Sequence, residues 1–160
     1  MTTILQSMSA LKSLNIRQMA IEAIEKNLRD MVTLNQSQLY EGKTTTGKRF
    51  HKYAGRQYAD VKNQMNPLPG WGNPDLNLTG DFYRAIFADL EGDDIIMDST
   101  DEKSGLLQAK YDSSPTQLTG DTGKSEIFGL TRENWGLFRD KCREDFCKEF
   151  EKQTGLTFTF

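Results

Sequence analysis

Asp75-Leu76-Asn77-Leu78-Thr79-Gly80-Asp81-Phe82-Tyr83 is the stretch on which the fold turns. It contains no pairing of a nucleophile with a base, and it follows a segment that cannot be regular structure. Thr79 carries an oxygen suited to cap a short helix running through Tyr83 or Arg84. Beyond it the pattern changes from helical to extended. Ala85 to Leu90 reads as a strand, Glu91-Gly92-Asp93 as a turn and Asp94 to Asp98 as a returning strand, which together make a hairpin.

Upstream, Asn66-Pro67-Leu68-Pro69-Gly70-Trp71-Gly72-Asn73-Pro74 holds three prolines and two glycines. Proline removes donors and fixes φ, so this is a loop. Its Trp71 either marks a contact site or folds back on the core. Before the loop, Leu11 to about Leu34 reads as a long helix. Ile16, Met19, Ala20, Ala23, Ile24, Leu28 and Met31 recur at helical spacing and predict a core-facing stripe. Glu41 to Arg49 is turn-rich and extended. A shorter helix is expected over Ala54 to Gln64, with Tyr58, Val61 and Met65 as its apolar side.

Downstream, Ser99 or Thr100 is expected to cap a helix through Tyr111. Ser113 to Ser125 is rich in Ser, Thr, Gly and Asp and reads as a mobile loop. Thr131 caps a last helix with Trp135, Phe138, Cys142, Phe146 and Phe150 as its stripe, ended by Gly155. Leu156 to Phe160 alternates with period two and predicts a final strand beside the hairpin. The expected fold is α+β, a small antiparallel sheet packed against a long N-terminal helix and a C-terminal helix. It forms one domain over 1–160, with long loops near 66–74 and 112–126.

The 160 residues carry a net charge of −3, which argues against a general polyanion binder. The charge is segregated. Lys43 to Lys62 holds six Lys/Arg against Asp60 alone, and Asp89 to Glu102 holds seven Asp/Glu with no Lys/Arg. These read as solvated surfaces or as complementary faces for subunit contact. On the second reading Lys48, Arg49, Lys52, Trp71, Asp93, Asp94 and Asp98 are the candidate assembly contacts.

Catalytic motifs do not emerge. Gly42 to Arg49 has the spacing G-x-x-x-x-G-K, but Arg49 stands where a phosphate loop needs Ser or Thr, and no apolar strand precedes it. The acidic run lacks calcium-loop spacing. His51, the lone histidine, lies among Lys48, Arg49 and Lys52 and reads as a surface residue. Cys142 and Cys147 are five apart and point in different directions on a helix, so reduced cysteines are expected, with neither a disulfide nor a zinc site. The reading assigns no cofactor and no metal. It also finds no signal peptide and no membrane span. Aromatics Phe50, Tyr53 and Tyr58 interleave with Lys and Arg, so an alternative is a small intracellular nucleic-acid-binding or regulatory module using the basic 43–62 segment.

Three landmarks follow one another: Gly42, Gly47, Lys48, Phe50, Tyr53, Tyr58 and Lys62; then Asp75, Leu76, Thr79, Gly80 and Phe82; then Phe128-Gly129-Leu130-Thr131-Arg132-Glu133-Asn134. In order and spacing this resembles the tail-completion or head–tail connector proteins of tailed bacteriophages, across about Leu34 to Lys152. Lys110-Tyr111-Asp112 departs from that pattern, with Asp where Gly is common. The resemblance implies a small sheet crossed by a long helix and a non-enzymatic ring subunit, a tail-completion or connector protein or a tail terminator, assembled as a hexamer or dodecamer. It would be made in the bacterial host cytoplasm and sit in the virion neck or tail. Its partners would be further copies of itself and other neck, portal or tail proteins, with DNA at most passing through the lumen.

Overall fold

The structure, a computed structural model, describes residues 4–111 and 126–157. The element order is α1 (Ile4–Ser13), α2 (Ile16–Tyr40), α3 (Arg56–Met65), α4 (Asp81–Ala85), β1 (Ile86–Glu91), β2 (Asp94–Ser99), α5 (Ser104–Tyr111) and α6 (Arg132–Thr154). The fold is therefore mixed helix and sheet, as expected. The expected loop at 113–125 and the strand residues Phe158 to Phe160 lie outside the described residues. Leu156 and Thr157, which the period-two pattern assigned to that strand, are irregular.

The chain packs as two compact units, one of Met1–Leu28 with Gly136–Phe160 and one of Arg29–Trp135. Helices α2 and α6 each contribute to both.

In the first unit α1, the start of α2 and most of α6 bury Met19, Ala23, Phe138, Cys142 and Phe150. The Ser7 hydroxyl donates to the Thr154 carbonyl at 2.9 Å. Asp145 accepts from Lys26 at 2.9 Å and from Asn27 Nδ2 at 2.8 Å. The expected single helix from Leu11 is instead two. Asn15 accepts the Gln18 N–H at 3.1 Å, which starts α2 afresh, and Ile16 is left 49% exposed. The aromatic stripe of α6 likewise starts at Phe138, since Trp135 is exposed. Thr131 caps α6 as read, its hydroxyl accepting the Asn134 N–H at 3.3 Å. Gly155, at φ 69°, closes it by donating to Glu151 at 2.7 Å.

In the second unit the core is Leu39, Phe50, Phe82, Tyr83, Ile86, Tyr111 and Ile127, with Val32, Met97 and Phe128 packed against it. Phe50 and Tyr111 meet edge to face, with ring centroids 5.4 Å apart. The hairpin is an antiparallel pair in which Ile86 faces Ser99 and Ala88 faces Met97. Gly92, at φ 67°, takes the first position of a two-residue turn. Helix α2 runs to Tyr40, six residues past its expected end, because its late polar residues face inward with partners. Asn35 Nδ2 donates to the Ile127 and Gly129 carbonyls at 2.8 and 2.7 Å. Gln38 donates to Gly129 at 2.8 Å and accepts from the Thr131 N–H at 3.0 Å. These amides hold the Ile127-to-Thr131 segment that leads into α6. Helix α5 begins at Ser104, later than read, because Asp101 rather than Ser99 or Thr100 receives the Lys103 N–H, at 2.8 Å.

Candidate functional site

Helix α3 turns the opposite way from the expectation. Tyr58, Val61 and Met65 are exposed, and the buried positions are Ala59 and Lys62. A lysine takes the inward place because its ammonium meets a carboxylate there. Lys62 Nζ lies 2.7 Å from Asp75 Oδ1, with side chains 5% and 2% exposed. The ammonium also donates to the Asn77 carbonyl.

Asp75 organises the Asp75-to-Tyr83 segment. Its carboxylate accepts the Asn77 N–H at 3.1 Å and Asn66 Nδ2 at 3.0 Å. Asn66 also donates to the Tyr40 carbonyl at 2.8 Å and accepts the Leu68 N–H at 3.1 Å. The Tyr83 hydroxyl donates to the Asp75 carbonyl. Between these anchors Leu76 sits at φ 53°, a left-handed conformation that is costly for a leucine. The Asp75–Asn77 turn and the Lys62 bond to Asn77 hold it on both sides. Gly42 closes the far side: a Cβ there would lie 2.7 Å from Pro69 Cβ and 2.9 Å from the Pro74 carbonyl.

Burial, then the Asp75 charge, raises the Tyr83 phenol well above its ordinary range. The same two causes, in the same order, raise Tyr53. Both phenols therefore act as neutral hydroxyls, and Lys62 is spent on Asp75 and Asn77. The cluster is a clamp on the backbone.

Gly80, at φ 82°, precedes α4 and takes the N-cap position expected for Thr79. Thr79 does less: its hydroxyl donates to the Asp81 carboxylate and lies 3.5 Å from the Asp81 N–H. Arg84 also pairs with Asp81, and the Asp81 carboxyl is held below its usual range by Thr79 first and Arg84 second. Beside the clamp opens a cleft of about 540 Å³, walled by Tyr53, Tyr58, Leu76, Leu78, Phe82, Leu107 and Tyr111, with Lys103 and Lys110 among its polar residues. The volume falls in the range of sites that receive a ligand or a partner's side chain.

The expected basic face is smaller than its sequence. Lys62 is buried, Lys43 pairs with Glu41 at 2.5 Å, and the Arg49 guanidinium donates to the Glu41 carbonyl. Lys48, Arg49 and Lys52 are exposed. The structure brings two of the candidate contacts together: Lys52 Nζ lies 5.6 Å from the centre of the Trp71 ring, whose Nε1 donates to Asp60 at 2.7 Å. Trp71 is 45% exposed and pinned from two sides. On the acidic side Asp93 and Asp94 are exposed at the hairpin turn. Asp98 is half-buried, accepting the Ser99 N–H at 2.7 Å and lying 3.5 Å from Gln108 Nε2.

The Gly42-to-Arg49 segment follows helix α2, and Lys43 bridges back to Arg49. Its backbone is closed on itself by the Thr44 N–H to Lys48 carbonyl bond of 2.8 Å. Among the described residues no group of three or more His, Cys, Asp or Glu could hold a metal, and no helix is long and apolar enough to cross a membrane. Cys142 and Cys147 are free thiols.

Sequence reading missed the roles of Asn35, Gln38 and Asn66, and it placed Lys62 in the basic segment without its inward turn. A signal existed for Asn35, since it and Asn27 fall on the four-residue beat of Met19, Ala23 and Met31. Nothing local pairs Lys62 with Asp75, thirteen residues away across a proline loop.

No family model, curated protein or solved structure matches this chain.

Proposed function

We propose that the chain is a structural subunit of a tailed-phage neck, a ring-forming tail-completion or head–tail connector protein with no catalytic turnover. The observation that carries this reading is how the central motif spends its polar groups. Lys62, Asn66, Asp75 and Tyr83 all bind main chain or one another. None is left to act on a substrate. What they fix in place is a surface with exposed Leu68, Trp71 and Leu78. A rigid frame that displays apolar side chains suits a part that fits against other subunits.

The residual charge supports the same role. Lys48, Lys52 and Arg56 are exposed on one segment, and Asp89, Glu91, Asp93 and Asp94 on another. Opposite patches on one subunit suit a heterologous contact, the kind that closes into a ring.

Purified phage particles provide the test. Mass spectrometry is expected to find the protein in them, and a gold-labelled antibody is expected to mark the head–tail junction. A protein absent from purified particles sinks the reading. Negative-stain images of the concentrated protein are expected to show rings.

A further inference from the structure

The β1–β2 hairpin turns a distinctive face to solvent. Register places Phe87 opposite Asp98, Asp89 opposite Ile96 and Glu91 opposite Asp94. Alternation puts these six on one face and Ile86 and Met97 on the core face. Phe87 is 40% exposed at a strand position, where its direction is set. An aromatic ringed by carboxylates is an anchor in search of an apolar hollow with a cationic rim.

The same compact unit has such a hollow. The cleft beside the clamp is apolar between Tyr58, Leu78 and Leu107. Leu78 is 58% exposed at its edge. Of its five charged lining residues, Lys62 is matched by Asp75 and Asp81 by Arg84. Asp101 is occupied in part by the Lys103 N–H. Lys103 adds to the positive field on the Asp81 carboxylate, and Lys110 Nζ lies 5.1 Å from the centre of the Tyr111 ring. With Asp75 and Arg84 counted beside the lining charges, the rim carries a surplus of one positive charge. Arg56, exposed next to the lining Gly55, adds a second.

We infer that the outer hairpin face of one copy docks on this cleft of a second copy, Phe87 entering beside Leu78 while Asp89, Glu91 and Asp94 meet Lys103 and Lys110. The inference deepens the ring reading and rests on it for its setting. Charge complementarity names the occupant: an acidic, apolar surface, of which this chain presents one at Phe87. Donor and acceptor are different surfaces of one compact unit, so each copy uses one of each, and the contact propagates.

Sedimentation of the full chain over a concentration series tests this. The wild type is expected to self-associate, and Phe87→Ser or Leu78→Glu to weaken association about tenfold or more. Both side chains are exposed, so the variants should melt like the wild type. Each variant keeps the half the other has lost. An equimolar mixture is therefore expected to form a heterodimer that stops at two. A benzoylphenylalanine in place of Phe87, in a mixture of light and heavy chains, should cross-link to the partner's 76–82 or 103–111 peptides. A wild type that stays monomeric at its highest soluble concentration overturns the proposal. So do variants that associate normally, or cross-links elsewhere. Self-association by this route in a protein absent from phage particles would retire the neck reading alone.

Discussion

Lys62 and Asp75 face each other at 2.7 Å, both side chains almost wholly withdrawn from water, and the loop carrying Leu76 in a left-handed conformation is closed over them. Removing one partner of such a pair leaves an uncompensated buried charge. Lys62→Met is therefore expected to cost about 3–5 kcal/mol. Adding Asp75→Asn should recover part of the loss, because the second charge is removed and the amide oxygen can still accept the Asn77 N–H. Urea denaturation of the two single variants and the double variant checks this. Additive losses would mean that the two groups do not interact.

A second prediction ranks the aromatics of α6. Phe138 is 3% exposed, Phe146 is half-buried and stacked on Phe150 at 6.3 Å, and Trp135 is 42% exposed. Phe138→Ala is expected to cost about 3–5 kcal/mol. Phe146→Ala should cost about 2 kcal/mol, since part of its surface is already wet. Trp135→Ala should cost least. Melting temperatures in the order wild type, Trp135→Ala, Phe146→Ala, Phe138→Ala are expected. Phe146→Ala as damaging as Phe138→Ala would contradict this packing.

The elements that sequence reading placed well are those with local causes. The hairpin follows from alternation around Gly92, and the last helix from Thr131 at one end and Gly155 at the other. The candidate site was legible only in part. Asp75 stood out through its motif, and Trp71 through its loop. The inward turn of Lys62 did not, because a lysine on a helix is normally solvated, and only a distant carboxylate reverses that preference. The same reversal exposed Tyr58, Val61 and Met65, which local patterning had placed inside. Asn15 caused the break in the long helix, and an asparagine inside an amphipathic run is easily read as surface.

Acid stability follows from Asp145. The Lys26 hydrogen bond first, and that of Asn27 second, hold its carboxyl below the usual range. A group with a lowered folded pKa contributes stability above its unfolded value, near about 4, and loses it as pH falls through the folded one. The protein is expected to weaken below about pH 4. Asp145→Asn should be less stable at neutral pH and should lose less on acidification. Parallel denaturation curves at neutral pH and at about pH 3 measure the difference. An equal acid loss in the variant would assign it to other carboxylates.

Assembly should respond to charge unevenly along the acidic segment. Asp94 shares the outer face of the hairpin with Asp89 and Glu91, and all three are exposed. Asp98 differs, because it is half-buried and Gln108 Nε2 of α5 lies 3.5 Å from its carboxylate, so changing it disturbs the end of β2 as well as the surface. The double reversal Asp89→Lys with Asp94→Lys is expected to leave the melting temperature nearly unchanged and to weaken association. Lys103→Glu with Lys110→Glu should weaken it too, and combining the four should restore part of it. If the basic segment is the partner instead, Lys48→Glu with Lys52→Glu will be the rescuing pair. Wild-type association should also weaken as salt is raised from about 0.05 to 0.5 M, where screening shortens to a few ångströms. Association unchanged by the acidic double reversal would remove charge from the interface and leave Phe87 as its only anchor.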